Sequence, residues 1–188
     1  MTQLFMFSAI SSTYRRFRAP LLVSSLLLLG ITQGCGKQPL SWDTLKAQIR
    51  EEFPTVEHIS ITEFEQRLQT ATPPETLIVD VRKPEEFSVS HLKHAVNIED
   101  ADVILELAEQ QQAEQIIIYC SVGYRSAKMA NELEQLGWED VANLEGSMFE
   151  WANSGRPVFL GEKKAEAVHP FDPFWGQLLD RQYHSTGS

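Results

Sequence analysis

The sequence of 188 residues predicts an α/β fold, in which helices cover both faces of a mainly parallel sheet. Short runs rich in Ile, Leu and Val, such as residues 77–81 and 116–119, alternate with segments of helical periodicity. Because these runs are apolar on both sides, they are typical of strands buried inside a parallel sheet. The alternating order of strands and helices also indicates a layered α/β domain. A chain of this length holds one such domain with a tail at each end.

The first elements of this fold are two helices with a strand between them. Ser41 is a suitable N-cap for a helix over residues 42–52, whose apolar stripe favours packing in the core over a membrane or partner surface. Residues 56–60 predict a short strand. Residues 62–65 have the composition and spacing of a capping box, which predicts a helix that continues to residue 69.

The remaining elements continue the alternation of strands and helices. They are a strand at 77–81, a helix at 84–89, a strand at 95–98, a helix at 101–111, a strand at 116–119, a helix at 125–136 and a strand at 141–144. In such sheets, loops at the carboxyl ends of the strands carry the functional site. Asp80 and Cys120 lie at the ends of two strands, so we expect them to be neighbours on one edge of the sheet.

Cys120 lies at the junction between a predicted strand and a predicted helix. Backbone N–H groups and the positive end of the helix dipole meet at such a junction, and both favour a thiolate. Arg125 adds a full positive charge, and Gly123 allows the loop to turn tightly around the sulfur. A cysteine buried as a small hydrophobic residue is the alternative, but it needs neither the glycine nor the arginine. The pattern therefore indicates a nucleophilic cysteine with a lowered pKa.

Residues 56–158 resemble the rhodanese-like sulfurtransferases in four segments that occur in the family's order. The segments are a strand ending in Asp-Val-Arg with a Glu-Phe pair after it (77–87), a turn containing His (90–98), the active-site loop (120–125) and a Gly-to-Trp motif (144–151). Ser90 replaces a usual glycine, and Lys93 with His94 replaces Pro-Gly, so we expect that turn to be built differently. The resemblance implies the three-layer rhodanese-like fold.

The resemblance also implies sulfur transfer in two steps, without a cofactor. Cys120 would attack the outer sulfur of a donor such as thiosulfate, and a thiol or cyanide would remove that sulfur from the resulting persulfide. Four residues separate Cys120 from Arg125, whereas phosphatases and arsenate reductases of this fold have five, so neither activity is expected. A non-catalytic module that senses sulfur or redox state, or that binds a protein, is the alternative. The residues expected to form the loop and bind substrate are Ser121, Val122, Gly123, Tyr124, Arg125 and Ser126.

Three charged residues are expected to support this loop. Asp80 and Arg82 would anchor loops through hydrogen bonds and an ion pair with each other, and Glu86 would similarly hold Arg82. Arg125 itself is expected to steer an anionic donor towards the sulfur or, alternatively, to brace the loop.

Residues 1–34 have the features of a signal peptide, which takes no part in the fold. A basic segment (14–18) precedes a leucine-rich stretch (20–31) that is too short to span a bilayer comfortably. Cys35 follows shortly after it, and this region resembles the cleavage box of bacterial lipoproteins. The resemblance implies a lipidated Cys35, a tether and helix over residues 35–55, and a membrane-anchored protein in the extracytoplasmic space. An ordinary secretory signal or an uncleaved signal anchor is the alternative.

The charge of the chain limits its partners. The net charge is −10, and removing residues 1–34 lowers it to −13, because that segment contains three arginines and no acidic residue. So acidic a protein is not expected to bind nucleic acid. The expected partners are a small sulfur donor, a thiol acceptor that a protein could also supply, and the membrane. His91 and His94 have no further ligands at zinc-like spacing, so no metal is expected there.

The C-terminal extension, residues 159–188, is rich in aromatic side chains but has no clear periodicity. Packing over the domain is the favoured interpretation, and a segment that binds a partner or touches the membrane is the alternative.

Overall fold

The computed structural model describes residues 40–70 and 75–186. In these ranges the α-helices are α1 (Trp42–Glu52), α2 (Ile61–Thr70), α3 (Pro84–Phe87), α4 (Ala101–Gln111), α5 (Tyr124–Gln135) and α6 (Ser147–Asn153). The strands are β1 (Glu57–Ile59), β2 (Thr76–Asp80), β3 (Val96–Asn97), β4 (Gln115–Tyr119), β5 (Val141–Leu144), β6 (Val158–Leu160) and β7 (Lys163–Ala165). The bounds of α1, α4 and β5 agree with the predicted ones.

Five strands form one parallel sheet in the order β1-β5-β4-β2-β3, which confirms the predicted α/β class. Strand β4 lies at the centre, and its residues from Ile116 to Tyr119 are all buried. Every residue of β5 is buried as well. Because side chains alternate between the two faces of a strand, burial of every residue means that both faces are covered.

The register of the sheet brings the expected site residues to one edge. Asp80, the last residue of β2, pairs with Tyr119, the last residue of β4. The backbone contact continues for one residue beyond the strand, because the Val81 N–H donates to the Tyr119 carbonyl (3.0 Å). The loops that follow Asp80 and Tyr119 therefore begin side by side, as predicted.

The capping box of α2 lies two residues earlier than the sequence analysis placed it. The Glu63 N–H donates to Ser60 Oγ (3.2 Å), and the Ser60 N–H donates to the Glu63 carboxylate (2.9 Å). The predicted pair, Thr62 and Glu65, has the same spacing, so residue type alone did not separate the two. Because β1 ends at Ile59, Ser60 is the residue at the junction between strand and helix.

Helix α6 and the hairpin of β6 and β7 were not predicted. Helix α6 has seven residues and follows Gly146, whose φ of +73° starts a turn after β5. The two strands of the hairpin have three residues each and pair antiparallel. Elements this short contain too few residues for a periodic signal, and tertiary contacts decide whether they form.

The end of the chain packs on the domain through a segment that we call the C-terminal strap, residues 168–185. Its two ends pair with each other: the Val168 N–H donates to the Tyr183 carbonyl (2.6 Å), and the Ser185 N–H donates to the Val168 carbonyl (3.1 Å). Val168 is fully buried, and Leu179 is nearly so. These contacts agree with the favoured interpretation, in which the extension packs over the domain.

None of the helices in the described ranges combines the length and the apolar character needed to cross a membrane. The predicted signal segment and Cys35 lie outside the described residues.

Candidate active site

Cys120 lies in the loop between β4 and α5. Its Sγ accepts a hydrogen bond from the Gly123 N–H (3.1 Å) and another from the Ser126 hydroxyl (3.5 Å). The residue is 1% exposed and forms no disulfide. The sulfur thus faces hydrogen-bond donors at the N-terminus of a helix of 12 residues, where the helix dipole also favours negative charge.

Gly123 is required by the shape of the loop. It is the N-cap of α5 and has a φ of +104°, a conformation that residues with a side chain rarely adopt. A Cβ added there would lie 3.4 Å from the backbone nitrogen of Gly146. The backbone conformation rather than the space therefore requires glycine, and strain at position 123 would disturb the N–H group that donates to Cys120.

Opposing effects act on the pKa of the Cys120 thiol. Burial by itself raises this pKa, because a buried thiolate loses its hydration. The positive charge of Arg125 and the hydrogen bonds from Ser126 and Gly123 lower it, and together they outweigh burial. The pKa of Cys120 therefore lies below its ordinary value, which increases the thiolate fraction near neutral pH.

The first turn of α6 supports the loop from its other side. The Cys120 N–H donates to Ser147 Oγ (3.1 Å), and this hydroxyl donates to the Leu144 carbonyl (2.8 Å). The next two residues of α6 donate their N–H groups to the carbonyls of Cys120 and Ser121 (3.1 and 3.0 Å). Ser147 was expected only as part of the Gly-to-Trp motif, and its bond to the backbone of Cys120 was not predicted.

Arg125 is held by Glu86 rather than projecting freely into solvent. Its guanidinium donates to both carboxylate oxygens of Glu86 (2.9 Å each) and to Ser121 Oγ (3.0 Å). The Ser121 hydroxyl in turn donates to Glu86 (2.8 Å). Burial by itself raises the pKa of the Glu86 carboxyl, but the bonds from Arg125 and Ser121 lower it overall. These hydrogen bonds fit the alternative in which Arg125 braces the loop.

Asp80 and Arg82 form the expected ion pair, whereas the expected pairing of Glu86 with Arg82 was wrong, because Glu86 binds Arg125. Arg82 binds Asp80 through Nε and one terminal nitrogen, which lie 2.9 and 2.7 Å from the two carboxylate oxygens. Both side chains are fully buried. Arg82 also donates to the Ser90 carbonyl (2.6 Å), which ties the end of β2 to the turn that follows α3. The buried Asp80–Arg82 pair therefore connects the loop after β2 with the turn after α3.

Two contacts from segments distant in sequence reach the loop, and neither was predicted. The Tyr124 hydroxyl donates to Glu52 at the end of α1 (2.6 Å). The ring of Phe171, in the C-terminal strap, lies over the Arg125 guanidinium, 4.7 Å from ring centroid to Cζ. Both partners are far from the loop in sequence and belong to no motif, so no local pattern indicates them.

The histidines of the 90–98 turn have structural contacts. His91 Nδ1 lies 2.9 Å from the Leu92 carbonyl and therefore donates to it, and Nε2 accepts from the Gly161 N–H (3.1 Å). The imidazole also stacks on Phe87, with centroids 4.2 Å apart. His94 has a φ of +64° at the place where the resembled family has glycine. Within the part of the chain that the structure describes, no group of His, Cys, Asp and Glu side chains could hold a metal ion.

The fold and the site together define an α/β protein that holds a thiolate-favouring cysteine in a loop between a buried strand and a helix. The model of a family described as "Rhodanese-like domain" matches residues 60–154, a range that includes every element from α2 to α6. The chain belongs to this family.

Two kinds of named protein occur among the relatives of this chain. A protein named sulfurtransferase from Allochromatium vinosum is 30% identical over 107 residues, which cover 57% of this chain and 98% of the relative. A tRNA uridine(34) hydroxylase from Bacillus pumilus is 33% identical over 101 residues, which cover 50% of this chain and 30% of the relative. The chain spans about a third of the length of such hydroxylases.

Solved structures share the fold. A thiosulfate sulfurtransferase from Pseudomonas aeruginosa superposes with a TM-score of 0.53 and 19% sequence identity, over 68% of this chain and 24% of that one. The chain is thus a rhodanese-like domain protein with sulfurtransferase homologues.

Proposed function

We propose that this protein is a sulfurtransferase that carries sulfane sulfur on Cys120. The observation that carries the proposal is the environment of the Cys120 Sγ, which accepts hydrogen bonds from Gly123 and Ser126 at the start of α5. The lowered pKa of this thiol supports the same role, because the thiolate is the nucleophilic form.

In the first step, the Cys120 thiolate attacks the outer sulfur of a donor such as thiosulfate. A sulfur–sulfur bond forms on Cys120, the bond inside the donor breaks, and sulfite leaves with the electron pair of that bond. The persulfide now carries the negative charge that the thiolate held, and the N–H groups of the loop from Ser121 to Ser126 stabilise it.

In the second step, the thiolate of an acceptor, or cyanide, attacks the outer sulfur of the Cys120 persulfide. The new bond joins this sulfur to the acceptor, and the electron pair of the broken bond returns to Cys120 as thiolate. No net oxidation or reduction of the protein occurs over the cycle, so no cofactor is needed.

An RNA substrate is not part of the proposed function, although some relatives are named tRNA uridine(34) hydroxylases. The match covers 30% of the Bacillus relative, which is too small a share to carry over the activity of that whole protein. The net charge of −10 also opposes binding to a polyanion.

Turnover is the test that separates a sulfurtransferase from a sulfur-sensing or protein-binding module. We expect repeated cycles of sulfite release when the purified protein is given thiosulfate with excess thiol or cyanide. A single equivalent of sulfite, with sulfur retained on Cys120 despite excess acceptor, would favour the sensing module.

Arg125→Ala is expected to lower transfer from charged and uncharged donors to a similar degree, by about tenfold to a hundredfold. The reason is that Arg125 braces Glu86 and Ser121, and losing these bonds displaces the loop. Removing its charge also raises the pKa of Cys120, so the reaction with a neutral alkylating reagent should need a higher pH. Rates measured against pH with several donors check both effects.

Arg125→Lys is the matched control for this prediction. Lysine keeps a positive charge near Cys120 but cannot form the two parallel bonds to Glu86. We expect its pH profile to stay closer to that of the native protein than the profile of Arg125→Ala does. A loss in Arg125→Ala that is confined to anionic donors would show that Arg125 steers the donor instead.

The membrane location is a separate part of the proposal and depends on Cys35. We expect the native protein to fractionate with membranes, because a lipidated cysteine with two or more acyl chains anchors a protein stably. Cys35→Ser should accumulate as an uncleaved precursor, which mass measurement and cell fractionation would detect. Cys120→Ser, which keeps Cys35, should fractionate like the native protein. Native protein found soluble, with Cys35 unmodified or removed, would exclude the anchor.

A further inference from the structure

Phe171 has an uncommon backbone conformation that aims its ring at the active-site loop. Its φ is +65°, a value that costs free energy for a residue with a side chain. The Phe171 N–H donates to His169 Nδ1 (3.0 Å), which helps to hold this turn. Strained residues persist where the surrounding structure determines their conformation, and the contacts of the strap do so here.

His184 connects the end of the strap to its middle through hydrogen bonds. The Nε2 of His184 lies 3.1 and 3.0 Å from the carbonyls of Gly176 and Leu179, and it therefore carries the proton and donates to both. Gly176 packs closely on Pro170, since an added Cβ would lie only 3.1 Å from the Pro170 side chain. The turn that carries Phe171 is thus packed against the centre of the strap.

The strap is also attached to the helix that supports Cys120. At the end of α6, the Asn153 amide donates to the Leu178 carbonyl (2.7 Å), and its oxygen accepts from the Asp180 N–H (2.8 Å). The start of the same helix binds the backbone of Cys120 through Ser147. The position of Phe171 is therefore fixed relative to the loop by one short helix.

Phe171 covers the part of Arg125 that Glu86 leaves open. The edge of the guanidinium is occupied by Glu86 and Ser121, and the ring of Phe171 lies over its face. The negative face of an aromatic ring attracts a guanidinium and partly offsets its positive potential, and the ring also displaces water from it. The Arg125 side chain nevertheless remains 31% exposed, so removing the ring would open it further to solvent and to anions.

We propose that Phe171 is a specificity-determining residue that masks the charge of Arg125. It selects sulfur compounds that have an apolar group beside the reacting sulfur, and it disfavours small anions such as thiosulfate. Phe171 is 36% exposed, so its ring offers an apolar surface next to the loop. Persulfides of organic thiols, including protein thiols, have the chemistry that such a surface favours. This proposal rests on the proposed sulfurtransferase function.

The masking itself is tested without sulfur transfer, by alkylation of Cys120 in the full-length protein. Iodoacetate and iodoacetamide react with the same thiolate and differ mainly in charge, so the ratio of their rates reports the positive potential that an approaching anion meets. The neutral reagent corrects for changes in access and in thiolate fraction. Phe171→Gly removes the ring and tolerates a positive φ, which protects the fold.

In Phe171→Gly we expect the iodoacetate-to-iodoacetamide ratio to rise about threefold, the factor for one unmasked charge a few ångströms away in water. The rise should shrink at high salt. The control is Phe174→Ala, which removes an exposed ring of the same strap that packs on Trp175 rather than on Arg125. The ratio should stay at the native value in this control. An unchanged ratio in Phe171→Gly, or an equal rise in Phe174→Ala, would overturn the masking.

The consequence for substrates is measured by KM. In Phe171→Gly the KM for thiosulfate should fall about threefold. The KM for the persulfide of 1-butanethiol, a donor with an apolar group, should stay constant or rise, because the apolar surface of the ring is lost. Equal changes for both donors would overturn the specificity role. If neither the native protein nor the variant transfers sulfur, the proposed function fails, and the alkylation ratio still decides whether Phe171 masks Arg125.

Discussion

Cys120→Ser is expected to abolish sulfur transfer and to leave the fold almost unchanged. A serine hydroxyl can accept the hydrogen bonds that Gly123 and Ser126 donate to the sulfur, and it occupies slightly less space. The change in the free energy of unfolding should therefore be about 1 kcal/mol or less. The hydroxyl has no accessible anionic form near neutral pH and cannot form a persulfide.

Intact mass measurement after treatment with thiosulfate tests this prediction directly. The native protein should gain the mass of one sulfur atom and lose it again when a thiol or cyanide is added. The matched control is Cys35→Ser, which removes the other cysteine of the chain and should still take up the sulfur. Sulfur bound to Cys120→Ser, or turnover equal to that of the native protein, would contradict the role of Cys120.

The parts of the fold that were predicted correctly have signals within one segment. Helix α4 shows this, because its apolar spacing and the N-cap Asp100 lie within 12 residues, and its predicted bounds agree with the structure. Strand β4 is an uninterrupted β-branched run and was predicted within one residue. Helix α2 was predicted with the wrong cap, because two Ser/Thr-x-x-Glu patterns overlap and only the end of β1 decides between them.

The parts of the site that were predictable are those whose sequence signals lie close together in the chain. The glycine, the arginine and the helix start around Cys120 lie within a few residues of each other, and the structure brings them together. The partner of Arg125 was not predictable, because Glu86 lies 39 residues away and Arg82 is nearer to it in sequence. Phe171 reaches the loop from the opposite end of the chain, and only the packing of the strap on α6 places it there. Contacts of this kind depend on the assembled fold.

Asp80→Asn is expected to lower the free energy of unfolding by about 3–5 kcal/mol, a large part of the stability of a typical domain. Arg82 is fully buried, and Asp80 is the carboxylate that binds it. Burial by itself lowers the pKa of the guanidinium, but the charge and hydrogen bonds of Asp80 raise it overall, so Arg82 keeps its proton. An asparagine fills the same space, yet it leaves this buried cation without the carboxylate that binds it. Urea unfolding, followed by its midpoint and slope, measures the loss.

The same change at an exposed ion pair provides the control for Asp80→Asn. Glu57 binds Arg67 at 2.6 Å, but the Glu57 side chain is 50% exposed, so Glu57→Gln should cost about 1 kcal/mol or less. Adding Arg82→Met to Asp80→Asn removes the unpaired cation and should restore part of the lost stability, because apolar replacement of a whole buried pair is often tolerated. If Asp80→Asn is no more costly than Glu57→Gln, the buried pair does not stabilise the edge of the sheet that carries Cys120. If the double variant is less stable than Asp80→Asn alone, the loss does not come from the uncompensated charge of Arg82.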